Sequence, residues 1–136
     1  MIESWLFPCS IKQFDLIEHF KKNTTVVWRK SFSVCLNDIV YIYMSMPYQE
    51  IMFKCHVIND NVSQELVEQN LYAKRADYYD GRKSKYIQLQ LDFEYPRGTM
   101  TYEVMKQIGI SKIQSQRRAD KKFLDYINRV NHQLCI

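Results

Sequence analysis

Between Asp38 and Met46 the chain reads DIVYIYMSM, with Ile39, Tyr41 and Tyr43 on one side of an extended backbone and Val40, Ile42 and Met44 on the other. Side chains alternate across a strand, so a segment that is apolar on both faces has to be covered on both. This predicts a central strand between two apolar layers. The rest of the chain must then supply neighbouring strands and two sets of covering groups.

Two other stretches carry the strand period. EIMFKCHVI, from Glu50 to Ile58, alternates Ile51, Phe53, Cys55 and Val57 with Lys54 and His56. SKYIQLQLDFEYP, from Ser84 onward, sets Ile87, Leu89, Leu91, Phe93 and Tyr95 against Gln88, Gln90, Asp92 and Glu94, which reads as a half-buried antiparallel strand. The MPYQ stretch ahead of Glu50 fits a hairpin turn. ESWLFP predicts a short strand stopped at Pro8, and TTVVW another short strand. Helices are predicted over SIKQFDLIEHFKK with Ser10 and Gln13 as a capping box, after Ser63, and from Thr101 to a glycine cap at Gly109. A closing helix over ADKKFLDYINRVNHQL turns Phe123, Leu124, Ile127, Val130 and Leu134 inward. The fold class is therefore α+β, a mostly antiparallel sheet that curls into a small, partly open β-barrel flanked by helices. The 136 residues make a single domain over 1–136.

Several function classes find no support. Three glycines leave no room for a phosphate-cradling loop. Cys9, Cys35, Cys55 and Cys135 are far apart, without a C-x-x-C pair or a histidine at ligand spacing, so neither metal nor disulfide framework is expected and the thiols are read as reduced. His19, His56 and His132 belong to no hydrolase motif, and Asp15 with Glu18 or Asp77 with Asp80 lack a signature spacing. The chain is thus expected to be non-catalytic and to need no cofactor. Glu3 stands where a signal peptide carries basic charge, and no apolar run is long enough to span a bilayer, so a cytoplasmic protein without membrane contact is expected.

A net charge of +4 permits a polyanionic partner without requiring one. The cations come in clusters: Arg29 and Lys30; Lys74 and Arg75; Arg82, Lys83 and Lys85; Arg117 and Arg118. Phosphate contact needs such groups on one face, whereas a solubilising surface needs them dispersed. Trp5, Trp28, Tyr41 and Tyr43 are candidates to stack on a flat ligand, with core packing as the commoner fate. Trp5 is read first as core. For Trp28, beside a basic pair, core and pocket wall stand level.

The order of segments sharpens this. An N-terminal strand with a Trp, a helix, then Trp28-Arg29, NDIVYIYMSMP and IMFKCHVI, followed by YIQLQLDFEY, QIGI and KIQSQRRADKKFLDYI, resembles the EVE domain of the PUA-like superfamily. Asn37-Asp38 stands where that family commonly has Gly-Asp, and Gln114-Ser115-Gln116 where it often has Gln-Gly-Pro. The resemblance implies a PUA-like barrel whose pocket holds a flipped base, expected to be a modified one, in DNA or RNA. It implies Trp28 as the aromatic wall, with Pro8, Cys9, Ser10, Tyr43, Ser45, Met46 and Pro47 at the same mouth and Arg29, Lys30, Arg117 and Arg118 as phosphate contacts. A separate effector such as a nuclease would supply any cutting. The alternatives are a protein-interaction module and a small enzyme acting on a nucleotide-like substrate.

Overall fold

The DIVYIYMSM run forms a strand over Ile39–Met44 that lies inside the sheet, and five of its six residues are buried. The computed structural model describes residues 1–30, 33–69, 85–110 and 113–136. In chain order the elements are β1 (Ser4–Cys9), α1 (Leu16–Lys22), β2 (Thr25–Lys30), β3 (Ile39–Met44), β4 (Glu50–Asn59), α2 (Gln64–Gln69), β5 (Lys85–Glu94), α3 (Tyr102–Gln107), β6 (Arg117–Arg118) and α4 (Lys121–Gln133). They build one six-stranded sheet in the order β2-β5-β4-β3-β1-β6. The pairing of β1 with β3 is parallel and every other pairing antiparallel. The two edges approach each other where the Gln116 amide donates to the Arg29 carbonyl at 2.7 Å, so the sheet curls into the expected partly open barrel.

The two layers that β3 demands are both present. Inside the curl, Trp5, Phe7 and Cys9 of β1, Val26 and Trp28 of β2, and Val40, Ile42 and Met44 of β3 meet Phe14, just ahead of α1, and Leu16 at its start. On the outer face, Leu6, Tyr41 and Tyr43 pack under Met105 of α3 and Phe123, Ile127 and Val130 of α4. An irregularity in the β4–β5 pairing, near Lys54 and Cys55, lets one strand serve both: Ile87 and Leu89 face the inner layer, Phe93 the outer.

Three expectations shift. The first helix is capped not by Ser10 but by Asp15, whose carboxylate accepts from the Glu18 amide at 3.1 Å, while residues 10–14 make a turn. Pro8 does not stop β1; it sits within it, because β6 covers only Trp5 and Leu6 and no ladder on that side needs a proline N–H. The basic connector contributes the two-residue strand β6. As predicted, Thr101 caps α3, its hydroxyl accepting from the Val104 amide at 3.2 Å, and Gly109 takes a left-handed φ of 85°. The Ser63 hydroxyl likewise accepts from Leu66 at the start of α2. The cluster Lys74, Arg75, Arg82 and Lys83 and the pair Asp77 and Asp80 lie outside the described residues, as does the part of the helix predicted after Ser63 that falls beyond residue 69.

All four cysteines are free, Cys9 and Cys55 buried and Cys35 and Cys135 exposed. Burial first, and then the Asp15 charge, pushes the Cys9 thiol up to about 12, and burial raises Cys55 as well. Two thiols should therefore react promptly with a disulfide reagent at neutral pH and two only on unfolding. Four equally fast thiols would contradict the inner layer.

Candidate functional site

The parallel pairing of β1 with β3 brings their C-terminal ends together, Cys9 beside Met44, and the chain leaves both strands there. Ser10 follows one, Ser45 and Met46 the other. With Lys12, Tyr43, Gln49 and Ile113 they line a cleft of about 310 Å³. Tyr43 is its buried floor at 3 % exposed, Ile113 is buried beside it, and Lys12 and Met46 stand at the rim. Among the described residues the Tyr43 hydroxyl has no hydrogen-bond partner. Burial, with Tyr102 adding, holds that hydroxyl above the ordinary tyrosine range, so at neutral pH it stays an O–H donor. A buried phenol without a partner costs stability unless something else satisfies it, which marks this one for attention.

The turn that carries Gln49 is firmly held. Gln49 has a left-handed φ of 52°, a conformation uncommon for a residue with a Cβ. Its carbonyl accepts from the Tyr102 amide at 2.8 Å. Next to it the buried Glu50 carboxylate accepts from Arg97 Nε at 2.6 Å and from the Gly98 amide at 2.9 Å, and the Arg97 guanidinium covers the Tyr48 ring at 4.9 Å. The cleft thus presents two hydroxyls, a phenol, an amide and an ammonium against the apolar surfaces of Met46 and Ile113. That combination suits a flat polar heterocycle bearing donors and acceptors on its edge, with an anionic group outside.

At the other end of β1, Trp5, Ser33, Arg117 and Arg118 line a second cleft of about 330 Å³. Register puts Arg118 opposite Trp5 and Arg117 opposite Leu6. The Arg118 guanidinium lies over the Trp5 indole at 5.4 Å. Five strand steps of about 3.3 Å separate Trp5 from Ser10, so the two clefts are about 16 Å apart along β1.

The expected residues therefore divide. Ser10, Tyr43, Ser45 and Met46 come together as foreseen, and Pro47 sits exposed beside them in the turn. Pro8 is half-buried within β1 and lines neither cleft. Cys9 and Trp28 are corrections. The Cys9 thiol points into the inner layer, donating to the Phe14 carbonyl at 3.7 Å. Trp28 is 3 % exposed, stands edge-on to Phe14 with ring centroids 6.3 Å apart, and lines neither cleft. Strand alternation is the reason: Val26 and Trp28 share the inward face of β2. Arg29 and Lys30 end β2 near β6, so all four foreseen phosphate contacts share the Trp5 end and not the Tyr43 end. Lys30 already donates to the Val34 and Asp60 carbonyls at 3.0 and 3.4 Å, which takes its ammonium away from that role. Lys12, Gln49, Ile113 and Ser33 were not foreseen. A left-handed residue in the β3–β4 turn was the one available signal, and glutamine does not announce it.

The three histidines lie away from both clefts: His19 against the Thr25 carbonyl at 2.8 Å, His56 against Asp92 at 2.8 Å, and His132 on α4. Among the described residues no cluster of three or more His, Cys, Asp or Glu could hold a metal, and no helix is long and apolar enough to cross a membrane.

No protein-family model matches the sequence, and no curated protein matches it either. Solved structures do match. The ASCH protein from Zymomonas mobilis superposes with a TM-score of 0.63 at 15% identity, covering 94% of this chain and 95% of that one. A hypothetical protein from Leishmania major gives 0.64 at 14% identity over 100% and 98%. Human THYN1, solved in complex with 5-methylcytosine-containing DNA, gives 0.61 at 11% identity over 94% and 96%. At these identities the likeness establishes the fold, and the fold is the PUA-like barrel that the EVE resemblance implied.

Proposed function

We propose that this PUA-like barrel is a non-catalytic nucleic-acid-binding module that takes an extruded base into the Tyr43 cleft. The observation that carries the reading is the buried phenol without a partner at the floor of a cleft whose other polar groups converge on the same space. A base would satisfy the Tyr43 hydroxyl and present its edge to Gln49, whose amide is suited to paired donor–acceptor contact. Lys12 at the rim is the natural contact for the phosphate of the same nucleotide. Met46 and Ile113 offer an apolar wall for a methyl group on a modified base, where stacking on Trp28 is not available. The THYN1 complex lends support, since a chain of the same fold was captured with methylated DNA. Cutting, where it occurs, would fall to a separate effector.

The test is a binding series at fixed salt with oligonucleotides that differ only in base modification. Tyr43→Phe removes one hydroxyl and should weaken the preferred oligonucleotide by about 1 kcal/mol, roughly fivefold in Kd, with the fold intact. Gln49→Ala should reduce the preference for one base over another more than it reduces affinity for any single oligonucleotide. If both variants bind every oligonucleotide as the parent does, the base is not in this cleft. Release of a product from any of the oligonucleotides would replace the binder with an enzyme.

A further inference from the structure

We propose that Met46 is a site of reversible oxidation by peroxides, and that its sulfoxide form switches off binding at the Tyr43 cleft. A thioether has no charge state to tune, so access to its sulfur largely decides how fast it reacts. Of the six methionines, Met44, Met52, Met100 and Met105 are at most 4 % exposed, while Met46 is 68 % exposed. Met1, the first residue, is the only other one open to solvent.

The turn that carries Met46 keeps it there. The Ser45 amide donates to the Cys9 carbonyl at 3.0 Å, the Tyr48 amide to the Ser45 carbonyl at 3.1 Å, and the Tyr102 amide to the Gln49 carbonyl at 2.8 Å. The backbone on both sides of Met46 is thus tied down, with the side chain at the rim of the cleft. One exposed apolar side chain is ordinary on a protein surface. What distinguishes Met46 is position: outside the first residue, the one thioether open to solvent lines the proposed binding site.

The step balances with hydrogen peroxide as the oxidant. The sulfur lone pair attacks one peroxide oxygen, the S–O bond forms as the O–O bond breaks, and the other oxygen leaves as water. Sulfur loses two electrons and the peroxide gains them. Methionine sulfoxide reductase reverses the change, two of its thiols closing to a disulfide while the oxygen leaves as water. The sulfoxide is uncharged but strongly polar, and its oxygen only accepts hydrogen bonds. Around it stand the hydroxyls of Ser10, Tyr43 and Ser45, the Gln49 amide and the Lys12 ammonium. The new oxygen therefore competes for the donors that a base edge and its phosphate would use, and it replaces the apolar wall that a methyl group needs.

The switch rests on the base-binding reading; the selectivity of oxidation does not, and the experiment reads the two separately. The full chain carrying Cys35→Ser and Cys135→Ser, which removes both exposed thiols, is treated with hydrogen peroxide, and each methionine is followed by peptide mass spectrometry. Met46 should oxidise about tenfold or more faster than the four buried methionines, and unfolding in urea should erase the difference. After treatment the Kd for the preferred methylated oligonucleotide should rise about fourfold or more, the worth of one buried methyl, and the reductase should restore it. Met46→Leu, whatever its own starting affinity, should keep that affinity through the same treatment, which separates Met46 from Met1. Oxidation of Met46 no faster than that of the buried four overturns the proposal, as does an equal loss of binding in Met46→Leu. So does a fully oxidised Met46 that binds as before while Tyr43→Phe weakens binding in the same series. If Tyr43→Phe and Gln49→Ala are silent but oxidation still weakens binding, the base is not seated in the cleft and Met46 nonetheless controls binding. Silence of all three overturns both readings.

Discussion

Replacing Trp28 with alanine is expected to lower the unfolding free energy by about 3–5 kcal/mol, the cost of deleting a large aromatic from a packed interior that collapses only in part. The indole is 3 % exposed and packs with Phe14, Val26 and Ile87 among others of the inner layer. Urea denaturation checks this directly: the midpoint should fall sharply while the slope stays near the parent value, because the surface exposed on unfolding hardly changes. Trp28→Phe keeps most of the buried area and should lose much less. The contrast with a ligand wall is quantitative. Surface positions outside special features usually move stability by no more than about 0.5 kcal/mol. A variant that keeps its midpoint but loses oligonucleotide binding would return Trp28 to the pocket and displace Tyr43 from it. Binding by Trp28→Ala is therefore to be read only well below its own transition.

That Trp28 reads equally well as core and as pocket wall shows what sequence can and cannot reach here. The neighbouring Arg29 and Lys30 suggest a solvent face, yet alternation along β2 places Val26 and Trp28 on one side and Val27 and Arg29 on the other. The period was legible; its phase was decided by pairing with β5, which lies some sixty residues later in the chain. The same distinction holds elsewhere. Strands β3, β4 and β5 and the closing helix declare themselves through local periodicity, and the structure agrees with them. For the first helix the spacing of Ser10 and Gln13 predicts one start, and the structure uses a second, Asp15, whose carboxylate accepts from the Glu18 amide. Burial of Phe14 against Trp28 favours the second, and that contact is tertiary.

The cleft illustrates the limit most clearly. Ser10 and Ser45 could be foreseen because each follows a strand. Whether those strands end on the same side depends on whether β1 and β3 run parallel, which no local pattern encodes. Lys12, Gln49 and Ile113 then join from three connectors with unrelated sequence signals. Of the foreseen phosphate contacts, Arg117 and Arg118 line a cleft with Trp5, about 16 Å along β1 from the Tyr43 cleft, and Arg29 and Lys30 are not among its lining residues.

Removing the Asp38 carboxylate should be the second costly change. Asp38 is 2 % exposed, and its two oxygens serve three donors: the Glu3 amide on Oδ1 at 3.0 Å, and the Trp5 indole and Cys35 amide on Oδ2, each at 2.9 Å. Its position is fixed from the backbone as well, since Asn37 takes a left-handed φ of 72° and the Asp38 amide closes the turn onto the Cys35 carbonyl at 3.1 Å. Asp38→Ala leaves all three donors facing a void too poor in acceptors to satisfy them. At about 1–3 kcal/mol for each donor left buried, and with the Glu3 and Cys35 amides partly reachable by water, the loss should be at least about 3 kcal/mol. Asp38→Asn keeps one acceptor oxygen and should lose less. A double-mutant cycle isolates the indole's share: in a Trp5→Phe background one donor is already gone, so Asp38→Asn should cost measurably less than it does in the parent. Equal costs of Asp38→Asn with and without the indole N–H would mean that the buried hydrogen bond does not hold Trp5 in place.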